Sequence, residues 1–315
     1  MSENALPLRQ RIDKTFEQPS QTEAGCMLCP RRCLAQRSLE NGFCGAGSNL
    51  RAARAGLHLW EEPCISGTRG SGTVFLSGCP LRCCFCQNHD ISLENKGKTL
   101  TVQRLGEIFL ELEDEGAHTL NLVSPTPYIP QIREALSLTK EKRSIPVVYN
   151  TGGYERVESL KLLEGFVDVY LPDLKFKSAE LSARYARAND YFDMASRAIL
   201  EMYRQTGSVV FNDEGIMLRG VLIRHLVLPG AYRDSFDVLG WIKENFPPDS
   251  IQISLMSQYT PGYQNQPFPE LNRRLTSFEY NKAAEYALSL GLNGYVQEKS
   301  SAKKSYTPSF QMEGL

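Results

Sequence analysis

From about residue 72 onward the chain alternates between two kinds of segment, and that rhythm restricts its fold more than any single motif. Short apolar runs are strand candidates: "GTVFLSG" at 72–78, "TLNLV" at 119–123, "IPVVYN" at 145–150, "VDVYLP" at 167–172, "GVLIRHLVL" at 220–228 and "SIQISLM" at 250–256. Helical stretches lie between and after them, at 103–115, 129–140, 155–164, 189–205, 235–245 and 277–290. The last helix starts with Thr276 and Glu279 in capping-box spacing. Strands apolar on both faces, separated by amphipathic helices, predict a parallel sheet covered by helices, here with six βα units. One stretch breaks the rhythm. "GSVVFNDEGIMLRG" at 207–220 has two short runs around Asp213, Glu214 and Gly215, which predicts an inserted hairpin. In parallel βα folds ligands bind at the C-terminal strand ends, so the residues there are the first site candidates.

Bulk properties exclude some function classes. The 315 residues carry 35 Lys and Arg against 36 Asp and Glu, which argues against nucleic acid or an anionic membrane as the main partner. No apolar run reaches the roughly 18 residues of a membrane span. The opening "MSENALPLRQRIDKTFEQ" is polar and does not read as a secretory signal, so a cytoplasmic location is expected. All nine cysteines lie between Cys26 and Cys86. In a reducing compartment such clustering points to metal or redox work rather than disulfides.

The cysteines form two constellations. "CMLCPRRCLAQRSLENGFCGAG" supplies Cys26, Cys29, Cys33 and Cys44, a candidate second metal site for zinc or an iron–sulfur cluster. Spacing alone leaves that choice open, and four unligated thiols are the bland alternative. "GCPLRCCFCQNHDIS" supplies a C-x3-C-x2-C set, Cys79, Cys83 and Cys86, on a loop that follows the first strand candidate. Three thiolates are one short of the four that usually close a cluster, which leaves a metal position open for chemistry. Cys84 is out of step with the spacing. His89 reads as a loop histidine, and Cys64 as a buried thiol or a fifth candidate ligand for the N-terminal site.

A strand leading into C-x3-C-x2-C, with Phe85 before the last cysteine, resembles the radical SAM superfamily. The resemblance implies an α/β fold, a partial (β/α)6 barrel with a small N-terminal Cys-rich segment. It implies that Cys79, Cys83 and Cys86 hold a [4Fe-4S] cluster whose fourth iron binds S-adenosylmethionine (SAM). "EEPCISGTRGSGTVFLSGC", "CQNHDIS" and "IRHLVLPG" together are similar to pyruvate formate-lyase activating enzyme-like proteins, over about residues 24–300. Many of these also start with a C-x2-C-P-R-x-C segment.

The strand ends can be read against that family. "SPTPY" stands where the superfamily commonly has Gly-Gly-Glu-Pro; Ser124 and Thr126 can accept hydrogen bonds but supply no carboxylate, and a Pro-rich turn is the alternative. In "YNTGGYE", Asn150 and Thr151 can bond ribose hydroxyls, Asn150 standing where activating enzymes often have Asp. "DLK" places Asp173 beside the SAM site and Lys175 toward the ligand, by resemblance; a surface ion pair is the alternative. Arg224 and His225 are neighbours in one strand, so one should face inward. An inward Arg needs a partner, either a SAM carboxylate or ribose or an internal carboxylate. His225 reads as a structural histidine, Met256 as core, and Gln258 and Tyr259 as candidates for the mouth.

The expected organisation is a polar tail at 1–23, a Cys-rich segment at 24–70, a barrel core at 71–300 and a C-terminal tail at 301–315. The expected function is a radical SAM oxidoreductase that cleaves SAM reductively to a 5′-deoxyadenosyl radical and abstracts hydrogen from a substrate. By resemblance the partners are a glycyl-radical enzyme or other protein substrate, and an electron donor such as flavodoxin or ferredoxin. The alternatives are an iron–sulfur electron-transfer or sensor protein, or a zinc-binding interaction module, neither cleaving SAM.

Overall fold

The computed structural model describes residues 25–262, 267–297, 308 and 310–315. The expected tail at 1–23 lies outside the described residues, as does most of that at 301–315. In chain order the elements are β1 (Arg51–His58), α1 (Pro63–Ser66), β2 (Ser71–Leu76), α2 (His89–Ser92), β3 (Lys98–Thr99), α3 (Val102–Asp114), β4 (Leu120–Val123), α4 (Ile129–Thr139) and β5 (Val147–Thr151). They continue with α5 (Val157–Leu160), β6 (Val169–Pro172), α6 (Ala179–Ala186), α7 (Tyr191–Thr206), β7 (Val210–Phe211), β8 (Met217–Leu226), α8 (Tyr232–Asn245), β9 (Gln252–Met256), α9 (Ser277–Ser289) and β10 (Gly294–Val296).

The six predicted parallel strands are β2, β4, β5, β6, β8 and β9, and they neighbour one another in that order. The βα rhythm therefore yields an α/β fold with a mostly parallel sheet, as a partial (β/α)6 barrel requires. β10 extends one edge in parallel, while β1 and β3 extend the other antiparallel. The expected hairpin forms, with β7 antiparallel to the start of β8. The helix expected at 155–164 is only one turn of α-helix followed by a 3-10 turn. An additional helix, α6, precedes the one expected at 189–205, capped by Ser178, whose hydroxyl accepts from the Leu181 N–H at 3.2 Å. The α9 capping box of Thr276 and Glu279 is present.

Alternation along β5, β6 and β8 separates two cores. Tyr149, Tyr170, Val221 and Ile223 join the large core that the helices cover. Val148, Val169, Leu171 and Leu222 face the other way, around Cys64 and Ile65 of α1. The segment between β1 and β2 thus packs against the sheet face opposite the helix-covered core. Cys64 is a buried member of that cluster, its thiol pushed up to about 11 by burial.

Residues 310–315 are fastened to β1. Ala53 and Ala55 exchange backbone hydrogen bonds with Met312 and Glu313, and Phe310 meets the Phe75 ring edge-on at 5.4 Å. Among the described residues no helix is long and apolar enough to cross a membrane.

Candidate functional site

The three-cysteine loop leaves β2 through Gly78, whose φ of +88° suits glycine. A side chain there would also meet the Cys44 carbonyl at 2.9 Å. The loop is pinned at the C-terminal end of the sheet by Arg82 N–H to Ala186 O (3.3 Å) and Cys84 N–H to Tyr185 O (2.9 Å). Phe85 packs between Phe176 and Tyr259 at ring distances of 6.1 and 6.4 Å. Tyr259 is buried and donates to Leu271 O at 2.7 Å, while the Gln258 carbonyl accepts from Gln87 Nε2 at 3.3 Å.

The loop presents its sulfurs to donors. The Leu81 N–H points at Cys79 Sγ (3.4 Å), and Ser92 Oγ lies 3.2 Å from Cys86 Sγ. Burial pushes all three thiols up, Cys83 to about 12, and the Lys175 charge acts on each in the opposite direction. Buried, mutually repelling thiolates need a cation to ionise, and thiolate is the form that binds metal. Three sulfurs, two aimed donors and a nearby lysine fit an iron–sulfur group. Cys84 has Glu270 rather than Lys175 in its surroundings and is pushed up to about 11 by burial.

Behind the loop lies a charged cluster that spans four elements. Arg224 reaches Asp173 Oδ1 through Nε (2.9 Å), Glu61 Oε2 through Nη1 (3.3 Å) and Asn150 Oδ1 through Nη2 (2.6 Å). Lys175 Nζ pairs with Asp173 Oδ2. Asn150 and Asn121 each donate an amide to Glu61 Oε1 at 3.2 Å. Burial pushes the Asp173 carboxyl up, but Arg224 and Lys175 outweigh it and hold it below the usual carboxylate range. Burial raises Glu61 and Glu62 despite Arg224. Of the two partners the sequence allowed for Arg224, the internal carboxylates are the ones in contact. Asn121 Oδ1 is buried without a hydrogen-bond partner among the described residues, and the Ser254 side chain faces Glu62.

Gly152 follows β5, and a Cβ there would meet Leu81 Cδ1 at 3.0 Å and Lys175 Cε at 3.7 Å. The glycine lets the cysteine loop and Lys175 close over the strand end. Ser124 sits at the end of β4 with a φ of +57°, a conformation non-glycine residues adopt mostly at constrained sites. Thr126 and Thr151 both donate their hydroxyls to Glu155 Oε1. Burial pushes Glu155 up to about 7. His225 faces away from the cluster, bonded to Leu174 O (2.7 Å) and Ser235 Oγ (2.9 Å). His89 contacts Asp90 (2.7 Å), and with Glu94 these form a surface group whose carboxylates Lys96 already pairs.

The four N-terminal cysteines gather beside the loop. They line one cavity with Leu28, Arg37, Phe43, Pro80, Thr126 and Pro127. Tight turns aim them: Arg32 N–H bonds Cys29 O (3.1 Å), and Arg32 and Leu34, on either side of Cys33, both have positive φ. Burial pushes Cys29 up to about 12 and raises Cys44.

Sequence reasoning missed Glu61, Glu62 and Glu155. The first two sit in "EEPCISG", a stretch quoted only for resemblance. The available signal was a pair of carboxylates just before a short apolar helix.

An open parallel βα sheet with three clustered thiols at the C-terminal strand ends defines a class: barrel proteins that mount a metal cofactor on one cysteine loop. The chain belongs to the Radical SAM superfamily, which residues 73–239 match. Membership implies a [4Fe-4S] cluster and SAM, and an enzyme that uses them. The chain is 34 % identical over 294 residues to "Uncharacterized protein MJ0674" of Methanocaldococcus jannaschii, covering 90 % of this chain and 78 % of that one. A radical SAM methyltransferase from Sphaerobacter thermophilus superposes with a TM-score of 0.50 at 16 % identity, over 72 % of this chain and 66 % of that one. Streptococcus suis SuiB, solved bound to S-adenosylmethionine, gives 0.45 at 15 % identity over 70 % of this chain; the chain spans about half of SuiB's length, 45 %. Likeness at this identity speaks for the fold alone.

Proposed function

We propose that this protein is a radical SAM oxidoreductase of the activating-enzyme kind, acting on a glycine of a partner protein. In this reading Cys79, Cys83 and Cys86 hold a site-differentiated [4Fe-4S] cluster. The observation that carries it is the three-thiol loop, with donors aimed at its sulfurs and Lys175 beside them, at the C-terminal end of the parallel sheet. When bound, cluster and SAM supply a one-electron cleavage of the sulfonium C–S bond and an adenosyl radical that takes a hydrogen atom.

The chain's residues bind and orient. Asp173, Lys175 and Asn150 form the polar wall that meets SAM, with Ser124 and Thr151 at neighbouring strand ends. Arg224 fixes Asp173 and Asn150 in place and offers charge to the SAM carboxylate. Thr126 lies on the wall of the N-terminal cysteine cavity and contributes to that site instead. Cys26, Cys29, Cys33 and Cys44 hold a second metal centre in the Cys-rich segment 24–70, whose β1 joins the sheet of the core at 71–300. A flavodoxin or ferredoxin serves as electron donor in the cytoplasm.

The glycine assignment rests on the sequence resemblance and has its own test. Candidate glycyl-radical partner protein, grown with α-deuterated glycine, is incubated anaerobically with the enzyme, reductant and unlabelled SAM. Deuterium in 5′-deoxyadenosine is expected. Deuterium-free 5′-deoxyadenosine formed at the same rate without the partner would exclude that substrate.

A further inference from the structure

The second cysteine group sits where it can exchange electrons with the first. Its four cysteines line one small cavity, and Pro80 of the three-cysteine loop forms part of the wall. The Cys79 N–H donates to the Cys44 carbonyl at 3.1 Å. The route from Cys44 Sγ to Cys79 Sγ is thus a run of covalent bonds interrupted by one hydrogen bond. Arg31, between Cys29 and Cys33, clamps the same junction by donating Nε to Pro80 O at 2.8 Å. At the far side of the group, Cys33 is exposed, whereas Cys29 and Cys44 are buried. The group therefore runs from the surface to the foot of the three-cysteine loop.

Position discriminates between metals. Zinc has no redox chemistry, whereas a four-cysteine iron–sulfur cluster gains or loses an electron, and this group lies one backbone hydrogen bond from the three-cysteine loop. Four thiolates also leave no iron free for SAM or substrate, so electron exchange is the chemistry that remains.

We propose that Cys26, Cys29, Cys33 and Cys44 hold a second iron–sulfur cluster, closed at all four corners, that takes one electron from a reduced low-potential flavin or iron–sulfur carrier protein on its Cys33 side and passes it through Cys44 toward Cys79. The carrier is oxidised by one electron, and the cluster is reduced and then reoxidised by one. No covalent bond forms or breaks and no proton moves. The onward transfer, though not the cluster itself, rests on the reading of Cys79, Cys83 and Cys86 as ligands.

The test starts from a full-length Cys79→Ala/Cys83→Ala/Cys86→Ala protein, reconstituted without oxygen. It is expected to keep iron and acid-labile sulfide in equal amounts, a visible absorption bleached by dithionite, and no stoichiometric zinc. Adding Cys26→Ala and Cys29→Ala should remove all of it. Zinc in place of iron, or a folded protein with no metal, overturns the proposal. Should that variant not fold, Cys26→Ala/Cys29→Ala in the otherwise native chain gives the same answer: iron falls by about half, and unchanged iron overturns the assignment. For the relay, the electron paramagnetic resonance spectrum of the fully reduced native protein should differ from the sum of the two single-cluster variants through spin coupling. A spectrum equal to that sum overturns the relay. Failure of the SAM reading would appear separately, as absent SAM cleavage with the four-cysteine cluster intact.

Discussion

Arg224 offers the sharpest probe of the charged cluster behind the cysteine loop. Arg224→Met keeps most of the side chain's volume and removes its charge, leaving Asp173 with Lys175 alone and Glu61 with only two amides. Losing one partner of a buried pair costs about 3–5 kcal/mol, and the lower end applies because these side chains keep 10–16 % exposure. About 3 kcal/mol, against an unfolding entropy of about 2.1 cal/mol/K per residue, lowers Tm by about 4–5 °C for this chain. The loss should depend on pH. Burial already raises the Glu61 carboxyl, and without Arg224 it rises further. A carboxyl with a raised folded-state pKa binds more protons folded than unfolded. Its contribution is therefore fully present below the unfolded value of about 4.3 and is lost as pH rises through the folded one. Urea unfolding followed by circular dichroism should show the full deficit near pH ~8 and a much smaller one near pH ~5. Arg224→Met/Glu61→Gln should recover part of it at the higher pH. An equal loss at both pH values, or a loss below about 1 kcal/mol at the higher one, would refute the reasoning.

Other outcomes follow from the same geometry. Cys84→Ser should retain the iron of the three-cysteine loop and Cys83→Ser should lose it, as iron analysis after anaerobic reconstitution will show. Gly78→Ala forces a left-handed residue and a 2.9 Å approach to Cys44 O, and should lower stability by at least about 1–2 kcal/mol in chemical denaturation. His225 is buried and held neutral, its pKa lowered by burial to about 4. Because the unfolded state takes up the proton first, stability falls between about pH 6.5 and 4, by up to about 3 kcal/mol from this group. Comparing the pH profile of His225→Asn with that of the native chain should show that component removed.

The strands were legible in the sequence because they are buried on both faces and so appear as unbroken apolar runs. β1 was not: "RAARAGLH" packs through Ala52, Ala53 and Ala55, side chains too small to mark a strand against its arginines and glycine. β3 and β10 are two and three residues long, too short for any periodicity. The cysteine loop was legible because its ligand types are contiguous. The wall behind it was only half legible. Burial cost required a partner for Arg224, and local sequence could not say that one carboxylate would come from 163 positions earlier. Nor could spacing bring Cys44 against Cys79, a contact made by the backbone and permitted by a glycine. Thr126 and Thr151 give their hydroxyls to Glu155, which sits on the loop after β5 and so carries no signal at a strand end.

The central claim is reductive SAM cleavage at the three-cysteine loop. The direct measurement is 5′-deoxyadenosine formed from SAM by anaerobically reconstituted protein with dithionite, assayed beside Cys79→Ala and Cys84→Ser. The account predicts product from the native chain and from Cys84→Ser, and none from Cys79→Ala. Native protein with a full cluster that forms no more 5′-deoxyadenosine than Cys79→Ala would contradict it.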